Sequence, residues 1–219
     1  MVGRLIVIEG TDGSGKKTQT ELLVQRLRDE GRTVTTFSFP QYGKKSAGMV
    51  EEYLAGKYGP SNEVDPYSAS VFYAVDRFDV AKEIRAALNR GEIVVLDRYV
   101  DSNAGHQGGK FRDPEARAKF LGWLYDFEYR ILDIPEPNIV VLLYMPVDVA
   151  LKLMEKRERA KDGHEADTQH LRNAEASYLW LAEQYPEDHQ KIDCVQEGEV
   201  LPKEVIAEKV YKIVAPLLK

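Results

Sequence analysis

Short, β-branched apolar runs recur along the chain at Leu5–Ile8, Thr33–Phe39, Ile93–Leu96, Ile139–Tyr144 and, more weakly, Lys191–Val195. Segments with helical periodicity lie between and after them: Lys17–Arg28, Pro66–Leu88, Pro114–Leu132, Val147–Arg159, Thr168–Gln184 and Pro202–Leu218. Short buried strands alternating with helices predict an α/β fold, a five-stranded parallel sheet with helices on both faces. Gly31-Arg32 and Arg90-Gly91-Glu92 read as helix stops, and Pro135-Glu136-Pro137 closes a helix before the fourth run. No repeat, low-complexity tract or long linker divides residues 1–219, so one domain is expected.

The first apolar run leads through Glu9 into Gly10-Thr11-Asp12-Gly13-Ser14-Gly15-Lys16, with the amphipathic Lys17–Arg28 directly behind. Strand, glycine-rich turn, lysine and helix in that order form a phosphate cradle, the P-loop. Backbone N–H groups and the helix N-terminus point at phosphate oxygens, and the lysine reaches the β/γ oxygens. The alternative is a plain strand-to-helix turn. One position is unusual: Lys17 stands where a Ser or Thr normally holds Mg²⁺, and the first hydroxyl follows at Thr18.

Three further segments bear chemistry. Ile93–Leu96 ends in Asp97-Arg98-Tyr99, and an acid at a strand tip beside a P-loop is placed to serve Mg²⁺. The same Asp also reads as a turn cap. Arg98 beside it suits bidentate phosphate binding. On the Pro66 helix, Tyr73 and Arg77 share a face and together could read a nucleobase; the plainer reading is a core aromatic beside a surface arginine. The charged run Glu155–His164 is either a solvated helix end or a mobile lid around 156–167 that excludes water from a transferring phosphoryl group.

The chain has 219 residues and a net charge of −6, against the basic surface that nonspecific nucleic-acid binding needs. Cys194 is its one cysteine, so no intramolecular disulfide can form, and a reducing compartment fits. A core strand begins by about Leu5, which leaves no room for a signal peptide, and no apolar run approaches the ~20 residues of a membrane helix. A cytoplasmic protein is expected.

Ile8 to Lys16 with Thr18-Gln19, then Phe39-Pro40, Tyr73…Arg77, Asp97-Arg98-Tyr99 and Ser102–Gly109 together resemble the thymidylate kinase family. Pro137-Asn138 and the C-terminal helix fit the same pattern, and the resemblance spans nearly the whole chain in order. It implies a P-loop NTPase three-layer fold and transfer of the ATP γ-phosphoryl to dTMP, with Mg²⁺.

The resemblance also implies roles. Gly10, Thr11, Asp12, Gly13, Ser14, Gly15, Lys16, Lys17 and Thr18 would surround the ATP phosphates. Asp97, with Thr18, would serve the metal. Arg98 would bridge the two phosphate groups, and Asp12 would accept from the sugar 3′-hydroxyl. Tyr73, or its neighbour Phe72, would stack on the base; Arg77 would donate to a base carbonyl, and Phe39 is a further substrate-binding candidate. Asn103 or Gln107 would read the remaining edge, and His106 would face the sugar. With Gly13 where some members carry an arginine, Arg157 and Arg159 from the lid would supply the catalytic cation, with Lys161 a weaker candidate. A homodimer is a family-level expectation, with the Pro66–Leu88 helix contributing.

The chain departs from the family at Lys17 and at Tyr42, where an arginine often grips the acceptor phosphate and where Lys44 and Lys45 follow. The lid shows His164-Glu165-Ala166-Asp167 instead of an Asp-Arg pair. Alternatives are a kinase of another deoxynucleotide, or a nucleotide-binding protein with impaired kinase activity.

Overall fold

The structure, a computed structural model, describes residues 3–154 and 167–218. Five parallel strands, β1 (Arg4–Gly10), β2 (Val34–Ser38), β3 (Ile93–Asp97), β4 (Ile139–Tyr144) and β5 (His189–Asp193), form one sheet in the order β2-β3-β1-β4-β5. Eight α-helices accompany them among the described residues. They are α1 (Lys16–Asp29), α2 (Gly48–Leu54), α3 (Pro66–Asn89), α4 (Val100–His106), α5 (Pro114–Tyr125), α6 (Val147–Met154), α7 (Thr168–Gln184) and α8 (Lys203–Val214).

Strand geometry sends alternate residues to opposite faces. Leu5 and Val7 of β1 join the core under α3, α4, α5 and α7, while Ile6 and Ile8 join the core under α1 and α8. Both faces are covered, and the strands therefore read as unbroken apolar runs. Asp65, Asp113 and Asp167 cap the first turns of α3, α5 and α7, each accepting from a backbone N–H, with Pro66 and Pro114 at the next position.

The structure corrects several boundaries. The long helix expected over Pro114–Leu132 is α-helical only to Tyr125; residues Asp126–Ile131 form a π-helical turn. The fifth strand begins at His189, and Val195 instead pairs with Val200 in a small antiparallel hairpin, β6 (Val195–Gln196) and β7 (Glu199–Val200). Helices α2 and α4 carried no periodic signal. The α4 sequence Val-Asp-Ser-Asn-Ala-Gly-His is poor in helix formers, so tertiary contacts hold it. Of Val147–Arg159, the part through Met154 is helical as expected, and the remainder lies outside the described residues.

The register fixes the site. Ile8 of β1 pairs with Asp97 of β3, and Gly10 pairs with Leu143 of β4. The P-loop and the Asp97-Arg98 dipeptide thus leave neighbouring central strands at their carboxyl ends, where open α/β sheets bind ligands.

Candidate active site

The P-loop is shaped by backbone that only glycine adopts easily. Gly10 has φ +148°, and a Cβ there would stand 2.5 Å from the Leu143 carbonyl oxygen. Gly13 has φ +87°, and its Cβ would meet Ala150 of α6 at 3.0 Å, so a side chain there would be strained by the backbone and crowded by α6. Lys16, 7% exposed, folds back on the loop and donates to the carbonyls of Gly10 (2.9 Å) and Thr11 (2.8 Å). Burial, and then the nearby Arg98, lower its ammonium to about 8. Lys17 and Thr18 both face solvent, and Lys17 Nζ lies 4.0 Å from Glu21.

Arg98 adopts a left-handed backbone (φ 67°), uncommon for a non-glycine residue and characteristic of functional sites. Its guanidinium donates to Asp12 and lies 3.5 Å from Ser102 Oγ. Burial opposes its charge, but Asp12, Glu9 and Asp97 outweigh that and hold it protonated. Behind it lies Glu9, which is fully buried. Glu9 accepts from the Tyr99 N–H (2.7 Å), the Ser102 hydroxyl (3.1 Å) and the Tyr178 hydroxyl (3.0 Å), while burial pushes its carboxyl up. Asp97 Oδ1 is buried with no hydrogen-bond partner among the described residues, as is Ser14 Oγ.

A small cavity of about 60 Å³ adjoins the P-loop. It brings Asp12, Phe39, Tyr73, Arg77 and Arg98 together with Asn103, His106 and Gln107 of the α4 segment, and Tyr42 also lines it. Every residue expected to contact the acceptor is therefore in one place. Between the two aromatic candidates the geometry distinguishes: Tyr73 lines the cavity, whereas Phe72 packs against Tyr53 and Tyr58. Arg77 is not a surface arginine. It is 1% exposed, donates to both Glu128 oxygens at 2.6 and 2.5 Å, and donates to the Tyr99 carbonyl at 3.1 Å. The Asn103 amide nitrogen donates to the Ser70 carbonyl (3.1 Å) and to Glu128 (3.3 Å), which turns its Oδ1 the other way. Gln107 Nε2 stands 3.5 Å from the Tyr53 hydroxyl, and its Oε1 is buried with no hydrogen-bond partner among the described residues. His106 Nδ1 lies 3.0 Å from His170 Nε2 in α7.

The structure adds supports that the sequence reading missed: Glu9, Tyr53, Glu128, His170 and Asp76. Asp76 pins the loop after Phe39-Pro40, accepting from the Gln41 N–H (2.8 Å) and the Ser46 hydroxyl (2.7 Å). Glu128 did leave a trace. Phe120, Leu121 and Leu124 are buried on one helix face, and position 128 continues that stripe. Arg157, Arg159 and Lys161 lie outside the described residues, as does the expected lid around 156–167 except for Asp167, which caps α7.

Comparison with known proteins identifies the family. The Thymidylate kinase family model matches residues 8–205. A thymidylate kinase of Mycobacterium tuberculosis is 33% identical over 186 residues, covering 82% of this chain and 86% of that protein. One from Thermomicrobium roseum is 32% identical over 218 residues, covering 98% and 95%. The structure of a thymidylate kinase from Candida albicans has a TM-score of 0.75 at 21% identity over 98% of this chain and 92% of that one, which shows a shared fold. With that match running through the P-loop, the Asp97-Arg98 strand tip and the α4 cavity, the chain belongs to the thymidylate kinase family and is a phosphotransferase.

Proposed function

We infer that this protein transfers the γ-phosphoryl group of ATP to dTMP, giving ADP and dTDP. Family membership supports the reaction, and one observation carries the site assignment. Arg98 bonds to Asp12 of the P-loop while lining the cavity that holds Tyr73, Arg77 and Asn103. A phosphate donor on one side and a nucleotide acceptor on the other would meet at that guanidinium.

The cavity's polar pattern suits a thymine edge. A guanidinium has five N–H groups, and Arg77 commits three to Glu128 and Tyr99, leaving donors for a base carbonyl. Asn103 Oδ1 and Gln107 Oε1 are acceptors suited to a ring N–H. Cytosine, with an unprotonated ring nitrogen and an amino donor, presents the opposite pattern. Tyr73 offers a face for stacking, and Phe39 with Pro40 offers an apolar wall for a methyl group. Asp12 and His106 are the groups for the sugar.

The acceptor phosphate oxygen is already a nucleophile, so in-line attack needs positioning and charge neutralisation rather than a general base. The P-loop amides and Lys16 would orient the donor phosphates, and Arg98 would balance charge between donor and acceptor. Asp97 fits a hard cation, because its buried Oδ1 has no hydrogen-bond partner among the described residues; Thr18, which faces solvent on α1, would be the accompanying hydroxyl. Mg²⁺ held there would neutralise charge on the phosphates. A lid cation from Arg157 or Arg159 belongs to the same proposal.

Homodimerisation through α3 is proposed as well, since that helix exposes Val75 (49%) and Phe78 (54%) side by side. A cytoplasmic setting fits a lone buried Cys194, and among the described residues no helix is long and apolar enough to cross a membrane. The test is chromatographic: dTDP should accumulate from ATP, Mg²⁺ and dTMP, and Lys16→Ala should abolish it. Absence of dTDP with the folded wild-type protein would refute the reading.

A further inference from the structure

A second, larger opening lies away from the P-loop. A cleft of about 710 Å³ forms where the Asp126–Ile131 turn, the 133–137 loop and the start of β5 meet. That is the size of sites enclosing small organic molecules. Its walls are aromatic: Tyr125 and Tyr129 stack at 5.7 Å between centroids and 13° between planes, and Tyr185, 41% exposed, also lines the cleft.

The back wall is electrically closed. Asp101 of α4, 4% exposed, accepts from the Tyr125 hydroxyl at 2.8 Å and faces His189 Nε2 at 3.0 Å. His189 Nδ1 faces the Tyr185 carbonyl at 3.2 Å. Both ring nitrogens thus meet acceptors, an arrangement that an imidazolium satisfies on both sides while answering the Asp101 charge.

The rim is not closed. Arg130 is paired with Asp126, and Asp133 with Arg85 at 2.9 Å. Glu136 and Asp188, both exposed, take no ion pair among the described residues. The cleft therefore combines tyrosine faces with two exposed carboxylates that no ion pair closes among the described residues, Asp188 acting only as a charge that, after Asp101, favours the His189 imidazolium. Aromatic faces and carboxylates both attract organic cations.

We propose that this cleft is a second ligand site, taking an organic cation whose amino groups meet Glu136 and Asp188 and whose carbon chain lies against Tyr125, Tyr129 and Tyr185. It is separate from the nucleotide sites and independent of the reading given to them. It sits directly behind α4, since Asp101 in its wall precedes the Ser102 and Asn103 that line the acceptor cavity.

Titration calorimetry of the full chain with spermidine tests it. Binding should saturate. Glu136→Gln with Asp188→Asn should weaken it about tenfold, and Tyr185→Leu should weaken it measurably, as loss of two exposed charges and one aromatic face implies. Glu63→Gln with Glu83→Gln removes the same charge elsewhere on the surface and should leave affinity within about twofold. No saturable binding would overturn the proposal. So would equal weakening by both double variants, which would mean only general attraction to a protein of net charge −6.

Discussion

Arg77 and Glu128 form a bidentate ion pair in which both side chains are at most 1% exposed. The pair joins the middle of α3 to the π-helical turn after α5 and fixes the guanidinium at the cavity wall. Removing one member of a buried pair leaves an uncompensated charge, at a cost of roughly 3–5 kcal/mol. Glu128→Ala should lose about that much in urea unfolding, and Glu128→Gln, which keeps the shape but removes the charge and turns an amide N–H toward a guanidinium donor, should lose a comparable amount. Equal, small losses in both variants would show that Arg77 does not depend on Glu128.

Arg98 combines backbone strain with a charge placed between Asp12 and Ser102. Arg98→Ala and Arg98→Gly should both cut kcat by at least about 10²-fold, as loss of a preorganised charge does. The glycine variant should be the more stable of the two by roughly 1 kcal/mol, because glycine adopts φ 67° without penalty. Near-normal turnover in either would remove Arg98 from the phosphoryl-bridging role.

Lys16 supplies the pH dependence. Its ammonium is lowered to about 8, chiefly by burial, so the free protein loses this cation as pH rises through that value. kcat/KM for ATP, which reports groups in the free enzyme, should therefore fall above pH about 8. Bound phosphates favour the charged form, so kcat should hold to higher pH. Parallel decline of both parameters would contradict this account of Lys16.

Lys17, the main departure from the family pattern, is 84% exposed and lies beside Glu21. An exposed side chain of this kind contributes little, and Lys17→Thr should change kcat by no more than about threefold. A large gain would instead mean that the native metal site is impaired.

The strands, the P-loop and the Asp97-Arg98 tip were legible because their signals are local: apolar runs, glycines at fixed spacing, an acid at a strand end. The resemblance named the cavity residues, and all eight converge on one wall-to-wall space. What stayed hidden was relational. Nothing local places Glu128 against Arg77, 51 positions away, or His170 against His106, 64 positions away. Helix α4 escaped notice because its residues disfavour helix; its position comes from Glu9 and Tyr178 on one side and Asp101's partners on the other. The π-helical turn was masked by a periodicity that reads as continuous helix from Pro114 onward.

The most direct test is ADP release from ATP and Mg²⁺ with dTMP, dUMP, dCMP, dGMP and dAMP offered in parallel. Turnover with dTMP should stand well above that with the other four. No turnover with any acceptor, or preference for a purine or for dCMP, would contradict the assignment of dTMP as acceptor.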